Sequence, residues 1–180
     1  MLLPGSEPGE ARIDVASSRL TVRLGAEGQV SVGWNGALDE PSWGLAPAEP
    51  SAPRPPMSSR EVAGGVLLRG SGISVLVRHD GGLEYRDSAD RLRRVDEPVV
   101  WGEDGAWSMR TAIPPGAGVH GLGGRAVWDL RGGTYRCWNS DPGGSWLPGD
   151  DPLYVTTPAY LCLDDAGAAH CFIDNTFDGE

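Results

Sequence analysis

The side chains best suited to chemistry in this chain are concentrated in one stretch, His120–Pro158. It contains the run Trp138-Asn-Ser-Asp141 and two further tryptophans, Trp128 and Trp146, and all its acidic residues are aspartates. Indole faces suit the apolar faces of a sugar, and carboxylates accept strong hydrogen bonds from hydroxyls. Glycines let the backbone approach a ligand closely. These residue types predict a polar, aromatic-lined loop that grips a neutral, hydroxylated ligand. The competing interpretation is that Trp and Gly serve only the core and the turns of an all-β protein.

The sequence gives little support for a metal or cofactor site. Asp150 and Asp151 lack the D-x-[DN]-x-[DN]-G spacing of a calcium loop, so we expect solvated turn carboxylates. The histidines are isolated in sequence, and the cysteines form no C-x-x-C pair, which makes zinc improbable. We expect no metal and no cofactor, and we expect the cysteines to be buried free thiols in strand-like runs. The histidines are His79, His120 and His170, and the cysteines are Cys137, Cys162 and Cys171.

Composition narrows the class of partner. The net charge is −10 with a sequence pI near 4.7, and every basic residue is an arginine. Because nucleic-acid binding requires clustered cations, and these are scattered, we expect no nucleic-acid partner and no anionic membrane surface. No run approaches a membrane span, and the N-terminus lacks a signal-peptide pattern, which predicts a cytoplasmic protein.

The elements that must position the aromatic stretch are predicted to be strands. Apolar residues alternate with polar ones over short runs separated by glycine-rich turns, and no window shows helical spacing, which indicates an all-β sandwich. Three strands are expected between residues 11 and 34. The remaining predicted strands are Val66–Leu68, Ile73–Val77, Leu83–Tyr85, Leu92–Val95, Val99–Trp101, Trp107–Ile113, Tyr135–Trp138, Tyr160–Leu163 and Ala169–Ile173.

A proline-rich segment, Pro47–Pro56, interrupts this pattern. Proline lacks the amide donor that a helix interior or a central strand needs, so we expect an exposed loop or tether. If the loop is a boundary, residues 1–58 are an extension of a single domain that covers residues 1–180.

Four short motifs occur in a particular order. They are Gly121-Leu122-Gly123, Trp138-Asn139-Ser140-Asp141, Asp151-Pro152-Leu153-Tyr154 with Pro158 following, and Asp174-Asn175-Thr176. In this order they resemble the end of the N-terminal domain of glycoside hydrolase family 31, the α-glucosidase and α-xylosidase family. The resemblance covers residues from about Gly64 to Glu180. One departure is Gly124, where the family usually has Glu.

The resemblance implies a galactose mutarotase-like β-sandwich that precedes a (β/α)₈ catalytic barrel in a longer enzyme. A barrel needs about 250 residues, and the two carboxylates of a retaining glycosidase would lie there. We therefore expect this chain to be an accessory N-terminal domain of an α-glucosidase-like enzyme, inactive alone, with an α-linked oligosaccharide or glucoside and its own barrel as partners. The alternatives are a free-standing carbohydrate-binding module and, less favoured, an aldose mutarotase.

The resemblance also ranks the candidate substrate-binding residues. It places the aspartate of the Trp-Asn-x-Asp motif, here Asp141, at the mouth of the barrel. The alternative for Asp141 is a cap for the turn before Pro142. Asn139 and Trp138 are further candidates, but the position of Trp138 at a predicted strand end favours core packing. For Trp146, an isolated loop aromatic, both substrate contact and core packing remain open.

Overall fold

The computed structural model describes residues 8–42, 54–173 and 178–180. Most of the proline-rich segment and the motif Asp174-Asn175-Thr176 lie outside these residues. The described residues contain strands and short 3-10 turns and no α-helix. The strands are β1 (Glu10–Val15), β2 (Ser18–Leu24), β3 (Val30–Trp34), β4 (Ser58–Val62), β5 (Gly65–Arg69), β6 (Ile73–Arg78), β7 (Leu83–Asp87), β8 (Leu92–Asp96), β9 (Val100–Trp101), β10 (Trp107–Ser108), β11 (Thr111–Ala112), β12 (Gly118–Gly121), β13 (Ala159–Asp164) and β14 (Gly167–Phe172). The 3-10 turns are Ala26–Gly28, Ala37–Asp39 and Glu103–Gly105.

The chain divides into two compact units, and the first of them contains β1 to β11. One antiparallel sheet has the order β1-β2-β3, a second has the order β11-β8-β7-β6-β5-β4, and β9 and β10 form a separate hairpin. In β2 the apolar residues Leu20, Val22 and Leu24 are buried, as the period of two requires for a strand with one face on the core. Asn35 and Gly36 follow β3 with positive φ, which fits the turn predicted there.

A single hydrophobic cluster joins the two larger sheets of this unit. Its buried residues are Ala11, Ile13, Val15, Leu20, Val22, Leu24, Val66, Leu68, Val75, Val77 and Leu83. The first three strands supply one side of the cluster, and β5, β6 and β7 supply the other. The predicted all-β sandwich is therefore confirmed, and β1–β3 form one of its layers.

The edge of β1 carries a buried carboxylate. Glu10 accepts hydrogen bonds from Arg12 Nε at 2.8 Å and Arg23 Nε at 2.7 Å, and Arg54 Nη1 lies 3.4 Å away. Burial opposes ionisation, but the hydrogen bonds and charges of Arg23 and Arg12 outweigh it, so the pKa of Glu10 falls below its ordinary value.

The second unit contains the sheet β12-β13-β14 and, among its described residues, a long loop (residues 122–158) without any strand. In the β13–β14 hairpin Asp164 pairs with Gly167, and the Asp164 side chain accepts the Ala166 amide at 2.8 Å, as the predicted turn requires. Where the structure describes this unit, its buried apolar residues are few: Ala117, Val119, Leu130 and Leu153. Packing therefore does less to order the long loop than its hydrogen bonds do.

Most predicted strands are present, and one is wrong. Residues 135–138 form no strand, because the amides that a ladder would use are bonded elsewhere: Arg136 N–H to the Asp151 carboxylate, Cys137 N–H to the Gly179 carbonyl and Trp138 N–H to the Arg136 carbonyl. The predicted strand Trp107–Ile113 is divided into β10 and β11. Strands β4 and β12 were not predicted, since the first is polar and exposed and the second lies in a glycine-rich run.

Candidate functional site

The long loop begins at a backbone turn that only glycine allows at two positions. Gly121 and Gly123 have φ of 129° and 87°, and the residue between them, Leu122, is also left-handed. A side chain at Gly121 would place its Cβ 2.9 Å from Tyr160 Cα, and one at Gly123 would collide with the Val155 carbonyl. At Gly-Leu-Gly, two backbone segments thus approach too closely to admit a side chain at Gly121 or Gly123.

Gly124 is different from these two glycines. Its N–H donates to the Val155 carbonyl at 2.7 Å, but a Cβ built there would have no neighbour closer than 3.6 Å. The space around residue 124 therefore does not require glycine, and the family's usual Glu is not excluded by the backbone.

The segment after the turn runs beside β12. Leu130 N–H donates to the Val119 carbonyl at 2.8 Å, and His120 Nδ1 lies 2.6 Å from the Trp128 carbonyl oxygen. The Arg131 guanidinium and the amides of Arg131 and Val119 lower the pKa of Asp129 to about 2. Trp128 itself is 94% exposed.

Trp138 and Asn139 are held in place by hydrogen bonds with Thr156. Asn139 Oδ1 accepts the Thr156 amide at 2.7 Å, and Thr156 Oγ1 donates to the Trp138 carbonyl at 2.9 Å. The expected core packing of Trp138 is wrong, because the residue is 47% exposed and the Arg136 guanidinium lies 5.1 Å from the ring centroid. Arg136 in turn pairs with both carboxylate oxygens of Asp178, at 3.2 and 3.1 Å.

Asp141 lies at the exposed end of this segment. Its Oδ1 accepts the Gly143 amide at 2.8 Å, which is the turn-capping bond expected before Pro142. Within the described parts of the chain, Oδ2 has no hydrogen-bond partner. The carboxylate is therefore held by one oxygen and open to solvent at the other.

Trp146 is also half exposed, at 49%. Its neighbour Leu147 donates its amide to Asp150 Oδ2 at 2.7 Å, which closes a turn before residue 151. Within 8–42, 54–173 and 178–180, no hydrogen bond or ring contact joins Trp146 to Trp138, Asn139 or Asp141. Three of the four candidate residues thus share the contiguous segment Trp138–Asp141, and Trp146 lies outside it.

Arg125 and Asp151 are positions whose role the sequence did not reveal. Asp151, expected to be a solvated turn carboxylate, is only 14% exposed at its side chain and pairs with Arg125, which is 2% exposed. Both positions lie at the motifs, since Arg125 comes two residues after Gly123 of Gly-Leu-Gly and Asp151 opens Asp-Pro-Leu-Tyr. Charged residues are rarely this buried unless they are paired.

The remaining expectations concern thiols, metals and membranes. All three cysteines are free but only partly buried, and burial raises the pKa of the Cys137 thiol. In the part of the chain that the structure describes, no group of three or more His, Cys, Asp or Glu side chains is placed to hold a metal ion. No helix among the described residues is long and apolar enough to cross a membrane.

The sandwich and its motif-bearing loop together define the class of protein. Residues 11–180 match the model of the glycosyl hydrolase 31 N-terminal galactose mutarotase-like domain. The chain belongs to this family, and the resemblance inferred from the four motifs is confirmed.

Solved structures agree on the fold. A glycoside hydrolase family 31 dextranase from Flavobacterium johnsoniae, complexed with glucose, matches with a TM-score of 0.73 at 18% identity, covering 88% of this chain and 20% of that one. A mutant of that dextranase, complexed with isomaltotriose, matches with the same values: 0.73, 18%, 88% and 20%.

A family 31 α-xylosidase from a soil metagenome, complexed with xylose, gives a TM-score of 0.65 at 15% identity and covers 90% of this chain and 26% of that one. The chain thus spans 20–26% of the length of these structures. A search of curated protein sequences found no match.

Proposed function

We propose that this chain is the N-terminal domain of a retaining α-glycosidase and that its Trp138–Asp141 segment contributes to the substrate pocket. Residues 1–180 act as one accessory region in this proposal. The catalytic acid and nucleophile belong to a (β/α)₈ domain of the longer enzyme. The proposal rests on membership of the family together with one observation, the exposed and partly unpaired carboxylate of Asp141 on a fastened segment.

Asp141 is assigned the direct contact with sugar. Its Oδ1 accepts the Gly143 amide, so Oδ2 of this exposed residue is left as an acceptor for sugar hydroxyls. A carboxylate accepts stronger hydrogen bonds than a neutral group, and the short side chain loses little conformational entropy on binding. This carboxylate therefore orients the ligand and takes no part in bond cleavage.

Trp138 and Asn139 support this contact in different ways. Trp138 is almost half exposed with Arg136 over its ring, and the exposed part of the indole is suited to stacking on a sugar ring. Asn139 spends its carbonyl oxygen on the Thr156 amide, so it chiefly maintains the segment and offers only its amide nitrogen to ligand. Trp146, also half exposed, is proposed as a further contact with the ligand.

The ligand class is an α-linked oligosaccharide or glucoside. The chain carries a net charge of −10, which sets up no repulsion against a neutral sugar. One structural neighbour is a dextranase complexed with isomaltotriose, which makes isomaltotriose a suitable first probe.

The experiment measures kcat/KM for isomaltotriose with the complete gene product. Asp141→Asn keeps an oxygen for the Gly143 amide but removes the charge, so we expect kcat/KM to fall about 10- to 100-fold, the value of one or two charge-assisted hydrogen bonds. Asp165→Ala in the exposed β13–β14 turn removes a charge from the same unit and is the matched control. Unchanged kinetics for Asp141→Asn would remove the proposed sugar contact.

A free-standing binding module is the second candidate, favoured by the half-exposed Trp138 and Trp146. In that case the 180-residue chain alone should bind isomaltotriose tightly in a titration. If Asp141 instead needs a barrel to complete the pocket, the isolated chain should bind weakly or not at all.

A further inference from the structure

The guanidinium of Arg125 lies at the centre of a cross-link between three parts of the long loop. Its Nη1 donates to the Asp151 carboxylate, and its Nη2 donates to the Arg136 carbonyl at 2.8 Å and lies 3.4 Å from Thr156 Oγ1. One planar fork thus reaches residues 136, 151 and 156, which lie 11, 26 and 31 residues along the chain from Arg125. Lysine, with one nitrogen and no fixed plane, does not reproduce this geometry.

Asp151 closes the cross-link from the other side. While one oxygen pairs with Arg125, Oδ2 accepts the Arg136 amide at 2.8 Å. Both the amide and the carbonyl of Arg136 are therefore held by the same buried ion pair. This explains why residues 135–138 depart from the predicted strand.

The cross-link continues directly to the candidate site. Thr156, which is within reach of Arg125, donates its hydroxyl to the Trp138 carbonyl and its amide to Asn139 Oδ1. Asp141 is two residues further along. Since no strand pairing orders this loop, side-chain hydrogen bonds determine the position of Asp141.

We propose that Arg125 and Asp151 are positioning residues that fix the Trp138–Asp141 segment in the orientation in which it meets saccharide. The purpose of this positioning rests on the proposed function, but the positioning itself is a property of the unliganded chain. A small displacement of a substrate-positioning group costs about 100-fold in rate, so a buried clamp for one such group has a functional advantage.

Removal of either partner is expected to release the segment. In Arg125→Met and Asp151→Asn, the amides of Arg136 and Thr156 should exchange with solvent at least about tenfold faster, while the β13–β14 amides keep their rates. The Trp138 indole N–H resonance should shift in the same variants. Arg131→Met is the control, because Arg131 is exposed and pairs with Asp129 outside the cross-link.

A double variant separates positioning from mere stabilisation. Replacing both partners of a buried ion pair with apolar residues often restores stability, because no unpaired charge remains. In Arg125→Met/Asp151→Leu we therefore expect the unfolding midpoint to recover relative to Arg125→Met, while the Arg136 and Thr156 amides stay fast. If the amide rates recover together with the midpoint, or never change in the single variants, the positioning role is overturned.

This test uses no sugar, so it fails separately from the proposed function. Unchanged amide exchange with reduced kcat/KM for Asp141→Asn would remove only the positioning role. Altered exchange with normal kinetics for Asp141→Asn would leave the positioning intact and remove the sugar contact.

Discussion

Two acidic side chains of this domain, Glu10 and Asp151, are held in place by ion pairs with arginine as well as by packing. Glu10 and Asp151 are acidic groups largely withdrawn from water, and each is matched by arginine donors that also reach other parts of the chain. Arginine suits this task because its planar fork bonds several oxygens at once and stays ionised. Changes at these positions therefore affect more than one segment.

The Glu10 carboxylate contributes stability that depends on pH. Because the pKa of Glu10 is lowered on folding, the contribution is complete above its ordinary pKa of 4.5 and is lost as the pH falls through the lower folded value. Glu10→Gln should reduce the free energy of unfolding at pH 7 by about 2 kcal/mol. The difference from the parent should shrink below pH 4.5 in denaturant titrations.

Glu27→Gln, at an exposed position, serves as the control for Glu10→Gln and should stay within about 0.5 kcal/mol of the parent. A parent–variant difference for Glu10→Gln that persists unchanged in acid would contradict the assignment of the stability to the ionised carboxylate.

Gly123 and Gly124, at the start of the long loop, should differ in how much stability is lost when each is replaced by alanine. Gly123→Ala places a Cβ against the Val155 carbonyl at φ 87°, so we expect a loss of about 2 kcal/mol. Gly124→Ala meets no close neighbour and should change stability by less than about 0.5 kcal/mol. Thermal unfolding followed by near-UV circular dichroism, to which the loop tryptophans contribute, measures both. Equal losses would show that Gly124 is also required by the backbone.

At the scale of elements, burial separates leucines that look alike in sequence. Leu68 in β5 is fully buried, whereas Leu92 in β8 is 47% exposed on the same six-stranded sheet. Leu68→Ala should cost about 3 kcal/mol through lost transfer energy and a cavity. Leu92→Ala should cost less than about 1 kcal/mol. Urea unfolding of the two variants tests the placement of the core, and similar losses would contradict it.

The long loop is the other informative element. Its ends are joined by backbone bonds, such as Leu122 N–H to the Ala159 carbonyl at 2.8 Å, but its interior is held by side chains. A loop of this length is typically functional when it is ordered, since its conformational entropy must be offset by specific contacts. This loop obtains those contacts from Arg125, Asp151, Thr156 and Asn139.

For the whole molecule, the charge of −10 determines behaviour in solution. Titrating carboxylates towards the pI of about 4.7 removes the repulsion between copies. We expect turbidity to be greatest near that pH and to fall on both sides of it, and added salt to weaken the repulsion at neutral pH. A turbidity that does not change with pH would indicate that association is driven by the exposed aromatic residues instead.

Much of the fold was accessible from sequence alone, because local patterns encode it. Period-two alternation in Leu20–Leu24 and Ile73–Val77, and turn chemistry at Asn35-Gly36, predict strands and reversals without knowledge of tertiary contacts. The four ordered motifs from Gly121 to Thr176 were enough to indicate the family. Which of the strands share a sheet, and that β1–β3 form one layer of the core, did not follow from these patterns.

The tertiary structure decided the state of the charged and aromatic side chains. Asp150 and Asp151 are adjacent and chemically identical, yet one caps a turn and the other pairs with Arg125. Trp138 is half exposed, and Arg136, which lies over its ring, pairs with Asp178, 42 residues further along the chain. Local patterns determine backbone conformation through sterics and burial period, whereas the pairing of single side chains depends on long-range contacts that only the folded chain creates.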